Sequence, residues 1–84
     1  MSPLQSELQD VFRRVFDDDE LTIGDSTTAA DIDGWDSMAH INLLIGIEKR
    51  FGIKFSGSEI AALGARGQNV GGMLRLLEAK TGRA

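Results

Sequence analysis

The side chains with reactive potential gather in one place, Trp35-Asp36-Ser37-Met38 followed by His40. A serine between an aspartate and a histidine invites a nucleophilic reading. The imidazole would take the hydroxyl proton and the carboxylate would orient the imidazole. The spacing argues against it. Three residues inside one helical turn cannot easily place the acid on the far side of the base, and no oxyanion hole is apparent. A second reading is structural, with Asp36 capping a helix that Ser37 merely begins. A third is covalent attachment. A serine at a helix N-terminus is exposed, and a phosphodiester on its hydroxyl would meet free backbone N–H groups and the positive end of the dipole.

Composition removes other chemistries. With no cysteine and one histidine, the chain has no disulfide, no thiolate metal site and little for imidazole catalysis. The acidic run Asp17-Asp18-Asp19-Glu20 lacks the alternating spacing and glycine of a calcium loop and reads as solvated charge. The net charge of −4 conceals an asymmetry: ten acidic and two basic residues over 1–36, against three acidic and seven basic over 37–84. An acidic chain is a poor partner for nucleic acid and suits docking on basic protein surfaces. No apolar run approaches the ~18 residues of a membrane span, and no basic run followed by an apolar block opens the chain. A soluble cytoplasmic monomer is the expectation.

The elements that must position Ser37 follow from periodicity. Eighty-four residues, 42% apolar and 26% charged, fit one small domain over 1–84 with a single core. Ser2 as cap, Pro3 at the first helical position and Gln5 at capping-box spacing open a helix. Its apolar face is Leu4, Leu8, Val11, Phe12, Val15 and Phe16, with Arg13 and Arg14 opposite. Residues 18–36 form a long connection rich in turn residues. Leu21, Ile23, Ala29, Ile32 and Trp35 serve as its anchors, and the Trp35 indole N–H needs a partner if buried. Asp36 caps the next helix, whose wide stripe of Met38, Ile41, Leu43, Leu44, Ile45, Ile47 and Phe51 implies burial on most of its circumference. Met38 and Ile41 are expected to start the core and border the site.

Gly46 would allow a close helix approach, and Gly52 suits the left-handed stop. Ile53-Lys54-Phe55 is a short extended piece. Ser56 or Ser58 then caps a brief helix, Glu59 to Leu63, ended by Gly64, with a loop through Gly67. Asn69 caps a last helix with Val70, Met73, Leu74, Leu76 and Leu77 inward, ending before Gly82. Gly71-Gly72 in its first turn is an expected weak spot. The fold class is all-α: a small four-helix bundle of three main helices and one short one, with a long first loop.

The stretch from Ala30 to Phe55 resembles the acyl carrier protein family, including peptidyl and aminoacyl carriers. Gly34-Trp35-Asp36-Ser37-Met38 is similar to the family's Asp-Ser-Leu signature. Ile41, Leu44, Ile45, Glu48 and Phe51-Gly52-Ile53-Lys54-Phe55 match its second helix and following turn. The order of helix, long loop, helix, short helix, helix fits nearly the whole chain. The resemblance implies that Ser37 carries 4′-phosphopantetheine, added from coenzyme A by a phosphopantetheinyl transferase. Trp35, Asp36, Met38 and His40 would surround the attachment site. An acyl- or aminoacyl-loading ligase or transferase would then charge the arm's thiol as a thioester for downstream synthase enzymes. The chain itself would not be an enzyme.

His40 lies one turn after Ser37, and either stands in solvent or touches the phosphate or a partner. Fatty-acid-synthesis carriers typically have an acidic second helix, whereas this one carries His40, Asn42, Glu48, Lys49 and Arg50. The resemblance therefore points first to a carrier of a specialised pathway and second to one of fatty acid synthesis. A helical interaction module, with Asp36-Ser37 as a cap only, is the rival from a different class.

Overall fold

Leu4, Leu8, Val11 and Phe12 recur at helical spacing and are all buried, so the first helix, α1 (Pro3–Val15), presents one apolar face to the interior. The computed structural model describes residues 3–63 and 69–82. After α1 come a 3-10 turn at Ala29–Asp31 and three further helices, α2 (Ser37–Phe51), α3 (Gly57–Leu63) and α4 (Val70–Thr81). Among the described residues there is no strand, and the expected all-α four-helix arrangement is the one observed. The cap at Ser2, the stop at Gly64 and the loop through Gly67 lie outside the described residues.

The core joins α1 to Leu43, Leu44 and Ile47 of α2 and to Val70, Met73, Leu74 and Leu77 of α4. Ile23, Ile32 and Phe55 enter it from the connections. Ends form where the residue types suggested. Asp36 accepts from the Ala39 amide at 2.8 Å and Asn69 from the Gly72 amide at 3.0 Å. Gly52 and Gly82 close α2 and α4 in the left-handed region, at φ 66° and 70°. The α3 cap is Ser56, in a reciprocal pair: its amide donates to Glu59 Oε1 at 2.8 Å and its Oγ accepts from the Glu59 amide at 3.2 Å. That pair starts α3 at Gly57, two residues earlier than the sequence implied.

The long connection is fastened by a polar stripe on α1. Gln5 Nε2 donates to the Ile23 carbonyl at 3.2 Å, the Ile23 amide donates to Gln9 Oε1 at 3.0 Å, and Arg13 Nε donates to the Leu21 carbonyl at 2.7 Å. These three residues, four apart, share one helix face. Arg13, expected on the solvent side, is therefore a fastener. Ile23 and Ile32 are buried anchors, Leu21 and Trp35 pack half-buried, and Ala29 is exposed at the start of the 3-10 turn.

The connection also completes α4. The amides of Val70 and Gly71 donate to the carbonyls of Thr27 and Asp25, both at 2.8 Å, satisfying donors that a helix start leaves free. Gly71 is thus no weak spot. A Cβ there would stand 2.9 Å from the Asp25 carbonyl oxygen, so the missing side chain is what lets loop and helix meet. At Gly46 a Cβ would stand 3.1 Å from Val11 Cγ1, a side-chain neighbour that can yield.

Gly71→Ala is expected to destabilise the fold by about 1–3 kcal/mol, the usual cost of overpacking, although alanine gains ~1 kcal/mol of helix propensity. Gly46→Ala should change stability far less. Urea midpoints of the two variants check the contrast; equal midpoints would show that Gly71 makes no close contact.

Candidate functional site

Three devices bring the chain to Ser37. Gly34 adopts φ 85°, a left-handed value that favours glycine, and the Asp36 amide turns back to the Gly34 carbonyl at 3.0 Å. Asp36, in extended backbone, then caps α2, and its carbonyl accepts the first helical bond from the His40 amide at 2.9 Å. Trp35 stands edge-on to Phe12, with centroids 5.4 Å apart at 79°, and tilts against Phe16 at 5.9 Å. The indole anchors the end of the loop on α1. Ser37 follows as the exposed first residue of α2.

The indole N–H finds its partner across the cap: Trp35 Nε1 donates to His40 Nδ1 at 3.1 Å, edge to edge, with ring centroids 6.0 Å apart and planes inclined by 22°. A neutral imidazole that accepts at Nδ1 carries its proton on Nε2. Nε2 is itself buried and has no hydrogen-bond partner among the described residues. Burial holds the His40 pKa below its ordinary 6.5. The solvated reading of His40 therefore gives way to a half-buried ring committed to Trp35.

This arrangement also disposes of a triad. The Asp36 carboxylate is used by the Ala39 amide and His40 Nδ1 by the indole, so neither orients or relays toward Ser37.

Met38 and Ile41 do not start the core. Met38 is 73% exposed, Ile41 55% and Ile45 44%. Spaced by three and four residues, they form a second apolar stripe on the side of α2 away from Leu43, Leu44 and Ile47. The helix is therefore not buried on most of its circumference, because its apolar residues form two stripes and only one of them is covered. Glu48, an acidic residue of α2, turns inward to accept the Phe55 amide at 2.8 Å. A groove of ≈ 260 Å³ between α1 and α2, lined by Val11, Val15, Gly46 and charged neighbours, includes no residue of the Ser37 site. Among the described residues no three or more His, Cys, Asp or Glu side chains could hold a metal ion, and Asp17 to Glu20 are exposed.

No protein-family model matches the chain, and no curated protein matches it. Among solved structures it is similar to the solution NMR structure of holo acyl carrier protein from Geobacter metallireducens. The two are 39% identical, the match covers 94% of this chain and 86% of that one, and the TM-score is 0.81. The chain belongs to the acyl carrier protein family. As an acyl carrier protein it is a carrier and not an enzyme, in keeping with an Asp36, Ser37 and His40 that form no catalytic relay. No helix among the described residues is long and apolar enough to cross a membrane.

In this carrier Trp35, Asp36, Ser37 and His40 converge at the start of α2, and Met38 opens the exposed stripe beside them. The Trp35–His40 bond went unread in the sequence. Its signal is a donor-only indole placed five residues before a histidine, across a helix cap.

Asp36→Ala is expected to cost about 1 kcal/mol through loss of the cap. Trp35→Phe keeps the ring on Phe12 and Phe16 and loses only the hydrogen bond, about 0.5–1.5 kcal/mol; Trp35→Ala should cost clearly more. Chemical denaturation of the three variants ranks them, and a Trp35→Phe loss as large as that of Trp35→Ala would refute the anchoring role.

Proposed function

We propose that Ser37 is the attachment site of 4′-phosphopantetheine, and that residues 1–84 act as one cytoplasmic, monomeric carrier domain presenting an acyl or aminoacyl thioester to enzymes of a specialised biosynthetic pathway. The observation that carries the attachment is the exposed position of Ser37 at the first residue of α2, beside an Asp36 already committed to the cap. A phosphodiester on Oγ fits there, because the first amides of the helix and its dipole favour a negative charge. The solved relative is described as the holo form, which agrees with a carrier that receives a group.

In the attachment step Ser37 Oγ forms an ester to the phosphorus of the incoming arm. The serine proton passes to a base of the phosphopantetheinyl transferase, and the adenosine bisphosphate half of coenzyme A departs. The arm supplies the thiol that this cysteine-free chain lacks. The protein's part is to hold Ser37 exposed and its helix start rigid.

The character of α2 supports a specialised pathway. Its exposed stripe is Met38, Ile41 and Ile45, and Glu48 is engaged with the Phe55 amide. Such a face suits loading ligases, transferases and synthases with apolar docking patches better than strongly basic ones. A carrier of fatty acid synthesis is the second reading, supported by the membership in the acyl carrier protein family.

Incubation with coenzyme A and a broad-specificity transferase should add the mass of one arm to the intact protein, and Ser37→Ala should add none. No added mass, beside a control carrier that is modified, would overturn the attachment. Rapid malonyl loading by a fatty-acid malonyl transferase, with no charging by amino acid ligases, would reverse the ranking of pathways. Ile41→Asp, on the exposed stripe, is expected to shift stability by no more than about 0.5 kcal/mol while slowing loading of the arm; a normal loading rate would exclude that face from docking.

A further inference from the structure

We propose that Trp35 and His40 form a proton-operated latch on the segment that carries Ser37, closed when the imidazole is neutral and released when it is protonated. The two residues bracket Ser37, one before the α2 cap and one a turn inside the helix. Their bond closes a small ring of backbone through Asp36, Ser37, Met38 and Ala39. The indole also packs on Phe12 and Phe16, so the same ring tethers the start of α2 to α1 and the residue that follows it. Both act as positioning residues for Ser37.

The chemistry of the contact makes it a switch. An indole N–H can only donate, and an imidazolium has donors at both nitrogens. Protonation at Nδ1 would set two donors against each other across 3.1 Å. It would also leave a positive ring with a buried Nε2–H that lacks a partner among the described residues. The bond thus exists in one protonation state.

Among the described residues, the elements packed on the pair offer no substitute. The charged groups adjoining these contacts in the chain are Arg13 on α1, Asp17 in the turn after it, and Asp33 and Asp36 on the turn before α2. Arg13 is bound to the Leu21 carbonyl and Asp36 to the Ala39 amide; Asp17 and Asp33 are exposed. Burial, and no neighbouring charge, lowers the His40 pKa from 6.5. The sign follows: the folded chain gives up a proton that the unfolded chain keeps. The pair's contribution is whole above 6.5 and is lost as pH falls through the lower folded value.

The chain has one tryptophan and one histidine, so the emission of the full-length protein reads this contact directly. Emission is titrated from pH ~8 to ~5, the range in which an imidazole changes charge, with far-UV circular dichroism recorded alongside. The expected result is a one-proton transition with a midpoint below 6.5, at constant helix content. Amide resonances of Gly34 to Met38 should move with the same midpoint, and those of Lys80 and Gly82 should not. His40→Asn, which keeps an acceptor oxygen near the Nδ1 position and does not titrate, should remove the transition; His40→Ala should remove it as well. A flat wild-type titration, a transition that survives in either variant, or Gly34 to Met38 amides that stay fixed would each overturn the latch. The consequence for Ser37 rests on its reading as the attachment site. A flat titration leaves that reading intact, and failure of Ser37 to accept an arm leaves the titration unchanged.

Discussion

The hydrogen bond from the Ile23 amide to the buried carboxamide of Gln9 carries the constraint on which the rest of the bundle depends. A connection that runs from the end of one helix to the start of the next across the whole domain must find partners for its backbone or remain in water. Here α1 supplies them in a row from Gln5, Gln9 and Arg13. Once residues 21–23 are held, Ile23 can enter the core, and the carbonyls of Asp25 and Thr27 come within reach of the first amides of α4. The loop therefore serves as the cap of one helix and the lead-in to another.

The site at Ser37 inherits this rigidity. Its own side chain makes little structure, and its neighbours make nearly all of it: Asp36 ends the loop, Trp35 pins it to Phe12 and Phe16, and His40 binds Trp35 from inside the helix. For the attachment role proposed for Ser37, this arrangement serves better than a pocket. The hydroxyl stays outside, while the backbone beneath it is fixed.

What could be read in advance was the local part. Asp36 and Asn69 as caps, Gly52 and Gly82 as stops, and the buried faces of α1 and α4 each depend on residues within a turn of one another. The parts that escaped depend on what lies across space. Gln5, Gln9 and Arg13 are ordinary helix-surface residues until a loop carbonyl is laid beside them. Gly71 looks like a break in a helix until Asp25 is seen against it. Met38, Ile41 and Ile45 are as apolar as Leu43 and Leu44, and only the placement of α1 and α4 decides which stripe is covered. Trp35 was legible as an anchor, but its bond to His40 required the cap geometry that brings positions five apart face to face.

The short helix α3 contributes no fully buried residue. It is held by the Ser56–Glu59 cap and by Lys80, whose ammonium meets Glu59 at 2.8 Å and the Lys54 carbonyl at 2.9 Å and lies 5.9 Å from the centre of the Phe55 ring. The same contact keeps the Glu59 carboxyl below its ordinary pKa. Leu63 adds a half-buried apolar contact with the core, and the Lys80 contacts make the attachment of α3 answer in part to ionic strength. This helix is the first candidate to detach as a separate opening unit while the rest of the bundle stays folded. The molecule is thus graded energetically: the α1, α2 and α4 assembly is set by hydrophobic burial, and α3, with little buried area, docks with a salt-sensitive contribution from Lys80.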